Sequence, residues 1–385
     1  MKIVSVVGAR PNFMKIAPFV HEIERYNQER SSSQERIEHI LVHTGQHYDD
    51  KMSKDFFKAL NIPEADINLG VGSGSHAEQV GNTMIAFEKV LLEHKPDWVV
   101  VVGDVNATCA CSITAKKEHV KVAHIEAGLR SFDLKMPEEI NRMVTDRLSD
   151  LLLTPCEISS QNLRSEGVSE DRIKFVGNIM IDTLEAQRAK AAALDVYAIV
   201  KEQLLFSDQN VSVINFDKYA VMTLHRPSNV DEKSTLSSIL DFLCDEVASD
   251  MPLLWPIHPR TRKQIDKFDL WGKIHSTPNF VLLNPLGYHD LLRLNMDAQL
   301  MFTDSGGLQE ECCVLGTPCL TLRWSTERPV TLKEHGGASV LVGDDIEKMR
   351  FEYLETMKIP RKPQRPKFWD GNTAMRIVHA LLHHS

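Results

Sequence analysis

The stretch Asp97–Gly128, DWVVVVGDVNATCACSITAKKEHVKVAHIEAG, decides the fold. Two short runs rich in β-branched and apolar residues, DWVVVVGD (97–104) and VKVAHIEAG (120–128), flank a longer segment of helical character. That alternation is the pattern of parallel strands joined by a crossover helix. It continues in both directions. Towards the start come KIVSVVG (2–8) and HILVHTG (39–45), and beyond the central unit come DLLLTP (150–155) and RIKFVGN (172–178). A second set follows with YAVMTLH (219–225), PLLWPIH (252–258), FVLLNPL (280–286), QLMFTDS (299–305), PCLTLR (318–323) and SVLVG (339–343). Two sets of six strands predict an α/β chain of two Rossmann-like domains facing each other across a cleft. The expected division is 1–184, 185–367 and a terminal helix, 368–385, that packs back on the first domain. The interval Glu185–Lys218, without a convincing buried strand, reads as the linker.

A chain of 385 residues with 43% apolar and 25% charged residues has the composition of an ordinary globular protein with substantial cores. A net charge of −9 and a pI near 6.0 argue against general affinity for nucleic acid or anionic lipid, which require a basic face. No apolar stretch approaches the roughly 20 residues of a membrane span. The run before Arg10 is too brief for a signal peptide and reads as a buried first strand. Seven cysteines, none in a CxxC pair or in zinc-site spacing, indicate reduced thiols and a cytoplasmic protein.

In parallel sheets ligands lie beyond the carboxyl ends of the strands, and most of the polar residues of interest fall there. In MFTDSGGLQEE (301–311), Ser305, Gly306 and Gly307 form a turn between a strand and a helix, exposing backbone N–H groups where the helix dipole favours an anion. A phosphate or diphosphate is the natural ligand, with Glu311 one turn on in reach of a ribose hydroxyl. The alternative is a plain helix cap at Ser305 with a tight glycine turn. GVGSGS (70–75) has the wrong spacing for a dinucleotide fingerprint and reads as a loop. Asp104 and Glu126 end two strands and Glu138 lies at a helix start in MPEEINR (136–142), so three carboxylates emerge on one side of one domain. Singly, Asp104 and Glu138 read equally as helix caps, and Glu126 as a partner for Arg130 or Arg142. His225 and His258 each end a strand of the second domain, a placement suited to general acid/base work. Arg10 and Lys15 in GARPNFMK (8–15) and Arg328 in TERP (326–329) are the cationic candidates for an anionic substrate.

Taken together, GARPNFMK, HTGQHYD (43–49), GDVNAT (103–108), HIEAGLRS (124–131), MPEEINR, TLHRPSN (223–229), TDSGGLQEE and TERP resemble, in order and spacing over nearly the whole chain, the non-hydrolysing UDP-N-acetylglucosamine 2-epimerases. The resemblance implies a glycosyltransferase B-type fold, a homodimer, and a UDP-sugar substrate with UDP held mainly by the second domain; neither a nicotinamide nor a metal is implied. It places Arg10, Lys15, Asp104, Glu126 and His225 on the substrate. Ser305, Gly306, Gly307, Glu311 and Arg328 fall on UDP, with Leu286 and Leu291 lining the uracil pocket. The implied mechanism expels UDP through an oxocarbenium-like state to a 2-acetamidoglucal and returns it after reprotonation on the other face, with Asp104, Glu126 and Glu138 handling protons and charge.

The chain departs from the commonest bacterial pattern at Ala9, Asn12, Val105-Asn106, Pro227-Ser228 and Cys312-Cys313. HTGQHYD, GSGSH (72–76) and RSFDLKMPEEINR (130–142) also resemble the branch acting on a UDP-linked 2,3-diacetamido uronic acid. A hydrolysing epimerase, a retaining glycosyltransferase and a non-catalytic sensor are the other readings. Gln46 and His47 lie in the loop that matches the bacterial enzymes' regulatory site.

Overall fold

The computed structural model describes residues 1–8, 10–30, 36–45, 64–207, 209 and 211–384, the side chains of Arg10 and Pro11 excepted. The chain forms two compact units, one of Met1–Ala186 with Pro366–Ser385 and one of Gln187–Arg365. In the first, β1 (Lys2–Val7), β2 (Glu38–His43), β3 (Ile67–Asn68), β4 (Trp98–Val102), β5 (Lys121–Ile125), β6 (Leu151–Thr154) and β7 (Ile173–Phe175) form one sheet in the order β3-β2-β1-β4-β5-β6-β7. In the second, β8 (Ala220–Thr223), β9 (Leu253–Pro256), β10 (Phe280–Leu283), β11 (Leu300–Thr303), β12 (Cys319–Thr321) and β13 (Ser339–Leu341) take the order β10-β9-β8-β11-β12-β13. All described pairings within both sheets are parallel. Each sheet is therefore doubly wound, as the strand–helix alternation implies.

Burial explains why these runs are strands. In β4 every residue is buried, and Val99 and Val101 pack with Phe87, Val90 and Leu91 of the helix His76–His94 and with Cys111 and Ala115 of the helix Asn106–Lys117. In the second sheet alternate side chains feed opposite faces: Ala220, Met222 and Trp255 one core, Val221, Leu254 and Val281 the other. A sheet covered on both faces needs apolar residues at every strand position, so these runs do not alternate with polar ones. The two-residue β3 gives no such run.

Strand order fixes where loops converge. In the first sheet the winding reverses between β1 and β4, in the second between β8 and β11. At such a switch point the loops leaving the strands' carboxyl ends part and open a crevice. GARPNFMK and GDVNAT follow β1 and β4, while TLHRPSN and TDSGGLQEE follow β8 and β11.

The chain leaves the first unit within the helix Ile179–Ala192 and returns at Pro366. The stretch read as a linker is structured: Val196–Glu202 is helical, and Ile199, Val200 and Val211 are buried in a core of the second unit. After the return, Trp369 is buried and donates its Nε1–H to the Pro155 carbonyl at 2.9 Å. Asp182 accepts the backbone N–H groups of Thr373 and Ala374 at 3.1 and 2.7 Å, capping the helix Thr373–His383 within the first unit. GVGSGS is a loop in which Ser75 starts the helix His76–His94 through a capping box with Glu78.

Candidate active site

In the first unit four segments meet beyond β1, β4 and β5. Asn12, in the first turn of the helix Arg10–Gln28, donates its amide to the Val102 carbonyl at 2.8 Å, tying that helix start to the end of β4. Gly103 adopts φ +70°, and a Cβ there would lie 3.2 Å from Asn12 Nδ2, 3.3 Å from Lys15 Nζ and 3.5 Å from Glu126 Oε2. The position is held open by glycine because those three side chains press against it. Lys15 and Glu126 form a buried ion pair through Oε2. Glu126 Oε1 is buried with no protein partner among the described residues. The same residue has φ +72°, a left-handed backbone that costs a non-glycine residue of order 1–3 kcal/mol.

Asp104 faces Arg142, which is 1% exposed and also held by Glu139 at 2.5 and 2.9 Å. Glu139 in turn accepts the Ser131 and Phe132 backbone N–H groups at 3.0 and 2.9 Å. Burial works against its charge, yet the Ser131 N–H and the Arg142 guanidinium hold its carboxyl below the ordinary range. Beneath them, buried Asp146 takes His124 at 2.6 Å and Arg130 at 2.7 Å, and His124 reaches the Gly103 carbonyl at 2.8 Å. Loss of one member of such a buried set costs about 3–5 kcal/mol, so it braces the loop that carries Asp104.

In the second unit Ser305 occupies the N-cap position of the helix Gly306–Leu315 without a side-chain cap bond. A Cβ at Gly306 would meet Arg328 Nη1 at 2.5 Å and Glu327 Oε1 at 2.9 Å, whereas at Gly307 nothing lies within 4 Å. Gly306 thus admits the arginine to the helix start, and Gly307 leaves open space above it. Arg328 is buried between Glu327, on its Nη1, and Glu310, 2.8 Å from its Nε. Glu327 also takes Arg323 at 2.6 Å; burial opposes its charge, but the two guanidinium groups hold its carboxyl well below the usual range. Glu311 is buried beside Tyr288 and Asn295, and burial pushes its carboxyl up to about 7. The frame of this helix start is a fixed cation on a helix dipole, which suits an anion.

Next to it, Asp304 is fully buried and accepts the backbone N–H groups of His225 and Arg226 at 2.9 and 2.7 Å. Its Oδ1 lies 2.8 Å from His225 Nδ1. The rings of His225 and His258 are neighbours, with centroids 5.4 Å apart and planes inclined at 41°. His258 caps the helix Pro259–Phe268, its Nδ1 accepting the Arg260 N–H at 3.2 Å.

Among the sequence candidates, Lys15, Asp104 and Glu126 converge in the first unit, and Ser305, Gly306, Arg328, His225 and His258 lie at the ends of β8, β9, β11 and β12 in the second. Glu126 pairs with Lys15; Arg130 and Arg142 have other acids. Asp104 is no helix cap, since Val105 holds that position. Glu138 is exposed on the first turn of the helix Pro137–Leu148, and its neighbour Glu139 is the buried acid. Leu286 and Leu291 are half-buried against the second unit's core. The Arg10 side chain, Gln46 and His47 lie outside the described residues. Among the described residues no three His, Cys, Asp or Glu side chains gather as metal ligands. Glu139, Asp304, Glu310 and Glu327, which also shape the two sites, are not among the sequence candidates. The signal for Asp304 was present, because it follows β11 as Asp104 follows β4.

Two doubly wound parallel domains in one chain are the glycosyltransferase B-type architecture, shared with a lipopolysaccharide outer core galactosyltransferase (TM-score 0.54, 15% identity, 99% of both chains). A family model for UDP-N-acetylglucosamine 2-epimerase matches residues 29–382. The chain belongs to the UDP-N-acetylglucosamine 2-epimerase family. It is 40% identical to the UDP-N-acetylglucosamine 2-epimerase of Methanocaldococcus jannaschii, over 100% of this chain and 99% of that one. The crystal structure of that protein with UDP-N-acetylglucosamine and UDP superposes with a TM-score of 0.86 over all of both chains. The UDP-2,3-diacetamido-2,3-dideoxy-D-glucuronate 2-epimerase of Pseudomonas aeruginosa is 37% identical over 89% of this chain and 88% of its own.

Proposed function

We propose that this chain inverts UDP-N-acetylglucosamine at the second sugar carbon, giving UDP-N-acetylmannosamine without net hydrolysis. The observation that carries the reading is Glu126: buried, held in a left-handed backbone, with one carboxylate oxygen on Lys15 and the other unpartnered among the described residues. A proton-transfer group needs such an arrangement, fixed by one bond with its other oxygen uncommitted. The hydrogen to be removed adjoins no carbonyl, so departure of UDP supplies the driving force. Elimination gives a 2-acetamidoglucal, and UDP adds back after a proton arrives on the other face. Asp104, Glu126 and Glu138 serve proton transfer and stabilise the cation, with His225 as a further acid/base group. Ser305, Gly306, Gly307 and Arg328 support the departing diphosphate. Glu311 takes the ribose, Leu286 and Leu291 the uracil, and Arg10, Lys15 and His258 further parts of the substrate.

Proton NMR of the protein with UDP-N-acetylglucosamine in heavy water tests this directly. UDP-N-acetylmannosamine with deuterium at the second carbon is the expected product, whereas free N-acetylmannosamine with UDP would replace the proposal by hydrolysis. Likeness to the Pseudomonas protein favours a second reading, a UDP-2,3-diacetamido uronic acid as substrate. Turnover of that sugar with inert UDP-N-acetylglucosamine would select it. The same proposal includes a cytoplasmic homodimer: all seven cysteines are buried and unpaired, and Ile85, Leu92, Phe132, Leu134, Ile140 and Met143 of the first unit are exposed apolar side chains. A monomer mass in light scattering at micromolar concentration would remove the dimer.

A further inference from the structure

Asp304 makes two kinds of contact with the turn that carries His225. Through Oδ2 it accepts the backbone N–H groups of His225 and Arg226 and the Asn229 amide, the last at 3.1 Å, and its own carbonyl accepts Arg226 Nε at 2.9 Å. These bonds shape the turn. The remaining oxygen, Oδ1, stands 2.8 Å from the ring nitrogen Nδ1 of His225 and adds nothing to the backbone. Asp304 is fully buried, and although burial opposes its charge, the nearby His225 ring and the backbone N–H groups of Arg226 and His225 hold it below the ordinary range, so it remains a carboxylate.

The ring N–H is not aligned on Oδ1, so the contact is an ion-pair approach rather than a formed hydrogen bond. A carboxylate only accepts, however, and a bare Nδ1 lone pair 2.8 Å from its oxygen would be repelled, so hydrogen on Nδ1 is the favoured state and Nε2 is then the nitrogen left for a ligand. His258 is set the other way. Its Nδ1 accepts the Arg260 N–H, which places the ring hydrogen on Nε2 in the neutral form. In their neutral forms the two neighbouring imidazoles are thereby given opposite characters by their second contacts, His225 an acceptor at Nε2 and His258 a donor.

We propose that Asp304 is a positioning residue for the reaction: it fixes the tautomer and ring orientation of His225, so that Nε2 meets the substrate beside the helix start at Ser305. The inference rests on the epimerase reading, which puts His225 at the ligand. Carboxylate–imidazole pairs of this kind orient catalytic histidines in unrelated folds.

Asp304→Asn separates the two contacts. The amide oxygen can keep the backbone N–H groups while its NH2 faces Nδ1, which must then accept, moving the hydrogen to Nε2. Long-range proton–nitrogen NMR on protein labelled with 15N-histidine, with His225 assigned through its loss in His225→Gln, reads the tautomer without substrate. The wild type is expected as the Nδ1–H form and Asp304→Asn as the Nε2–H form. With UDP-N-acetylglucosamine, kcat of Asp304→Asn is expected to fall about a hundredfold or more while KM stays within a few-fold. Adding Asp304→Asn to His225→Gln is expected to cost nothing further. A wild-type Nε2–H tautomer, which requires no variant to fold, would overturn the proposal, as would losses that multiply in the double variant. The expected tautomer in a wild type that turns over neither UDP-sugar would sink the epimerase reading instead, and with it the role for this reaction.

Discussion

Gly306 offers a test in which one methyl group is the whole perturbation. In Gly306→Ala the new Cβ would stand 2.5 Å from Arg328 Nη1, and contacts become ordinary only from 3.4 Å, so the guanidinium has to retreat by about 1 Å. Elsewhere a long side chain would swing aside. Here Glu327 holds Nη1 and Glu310 holds Nε, so the retreat moves the cation away from the helix start or breaks a buried ion pair. A charge-assisted hydrogen bond contributes about 1.5–3 kcal/mol, so losing one from a diphosphate weakens UDP binding by roughly 10- to 150-fold. Stability changes less, because alanine gains about 1 kcal/mol over glycine in a helix and offsets part of an overpacking cost of about 1–3 kcal/mol. Calorimetric titration with UDP, with a melting curve alongside, measures both. Gly272→Ala, in a helix where nothing lies within 4 Å, is the control and should bind UDP as the wild type does. A folded Gly306→Ala protein with UDP affinity within about twofold of wild type would refute the argument that Arg328 reaches the ligand past this glycine.

Glu126→Gln should abolish turnover, by about 10²-fold or more, while UDP affinity is retained, since an amide fills the same space but transfers no proton; wild-type turnover would remove Glu126 from the chemistry. Glu311 gives a pH prediction: its native pKa of about 7 lies above the unfolded 4.5, so between those values the folded chain binds more protons and stability falls as pH rises. Urea unfolding of Glu311→Gln should match wild type near pH 4.5 and exceed it by up to about 3 kcal/mol at pH 8, and parallel curves would show that Glu311 ionises freely. Asp182→Ala should destabilise the first unit by about 1–2 kcal/mol and speed hydrogen exchange at Thr373 and Ala374; unchanged exchange there would mean the cap contributes nothing.

Strands were legible where burial on both faces demanded unbroken β-branched and apolar runs, and that requirement also located the loops at their carboxyl ends. It did not reveal β3, whose two residues carry no pattern. It also did not reveal that Glu139, beside the site candidate Glu138, is buried on Arg142. Which of two adjacent acids turns inward is set by helix phase, and the clue was Arg142, three residues beyond Glu139 and on its face. The acids around Arg328 depend on how the loop after β12 folds back onto the start of the helix Gly306–Leu315, which no local periodicity encodes. Residues 185–218 looked loose because their apolar side chains are sparse, yet Ile199, Val200 and Val211 find their partners on strands far along the chain.

The return of the chain at Pro366 sets an order of assembly during synthesis. A ribosome makes the whole of Gln187–Arg365 before the segment that completes the first unit exists. Until Trp369 and the helix Thr373–His383 emerge, the Pro155 carbonyl, the Asp182 carboxylate and the apolar surface that receives Ile377, Val378 and Leu381 have nothing to close over them. The unit made first is therefore finished last, and a nascent chain halted between Arg365 and the final helix carries a complete second domain tethered to an unsealed first one.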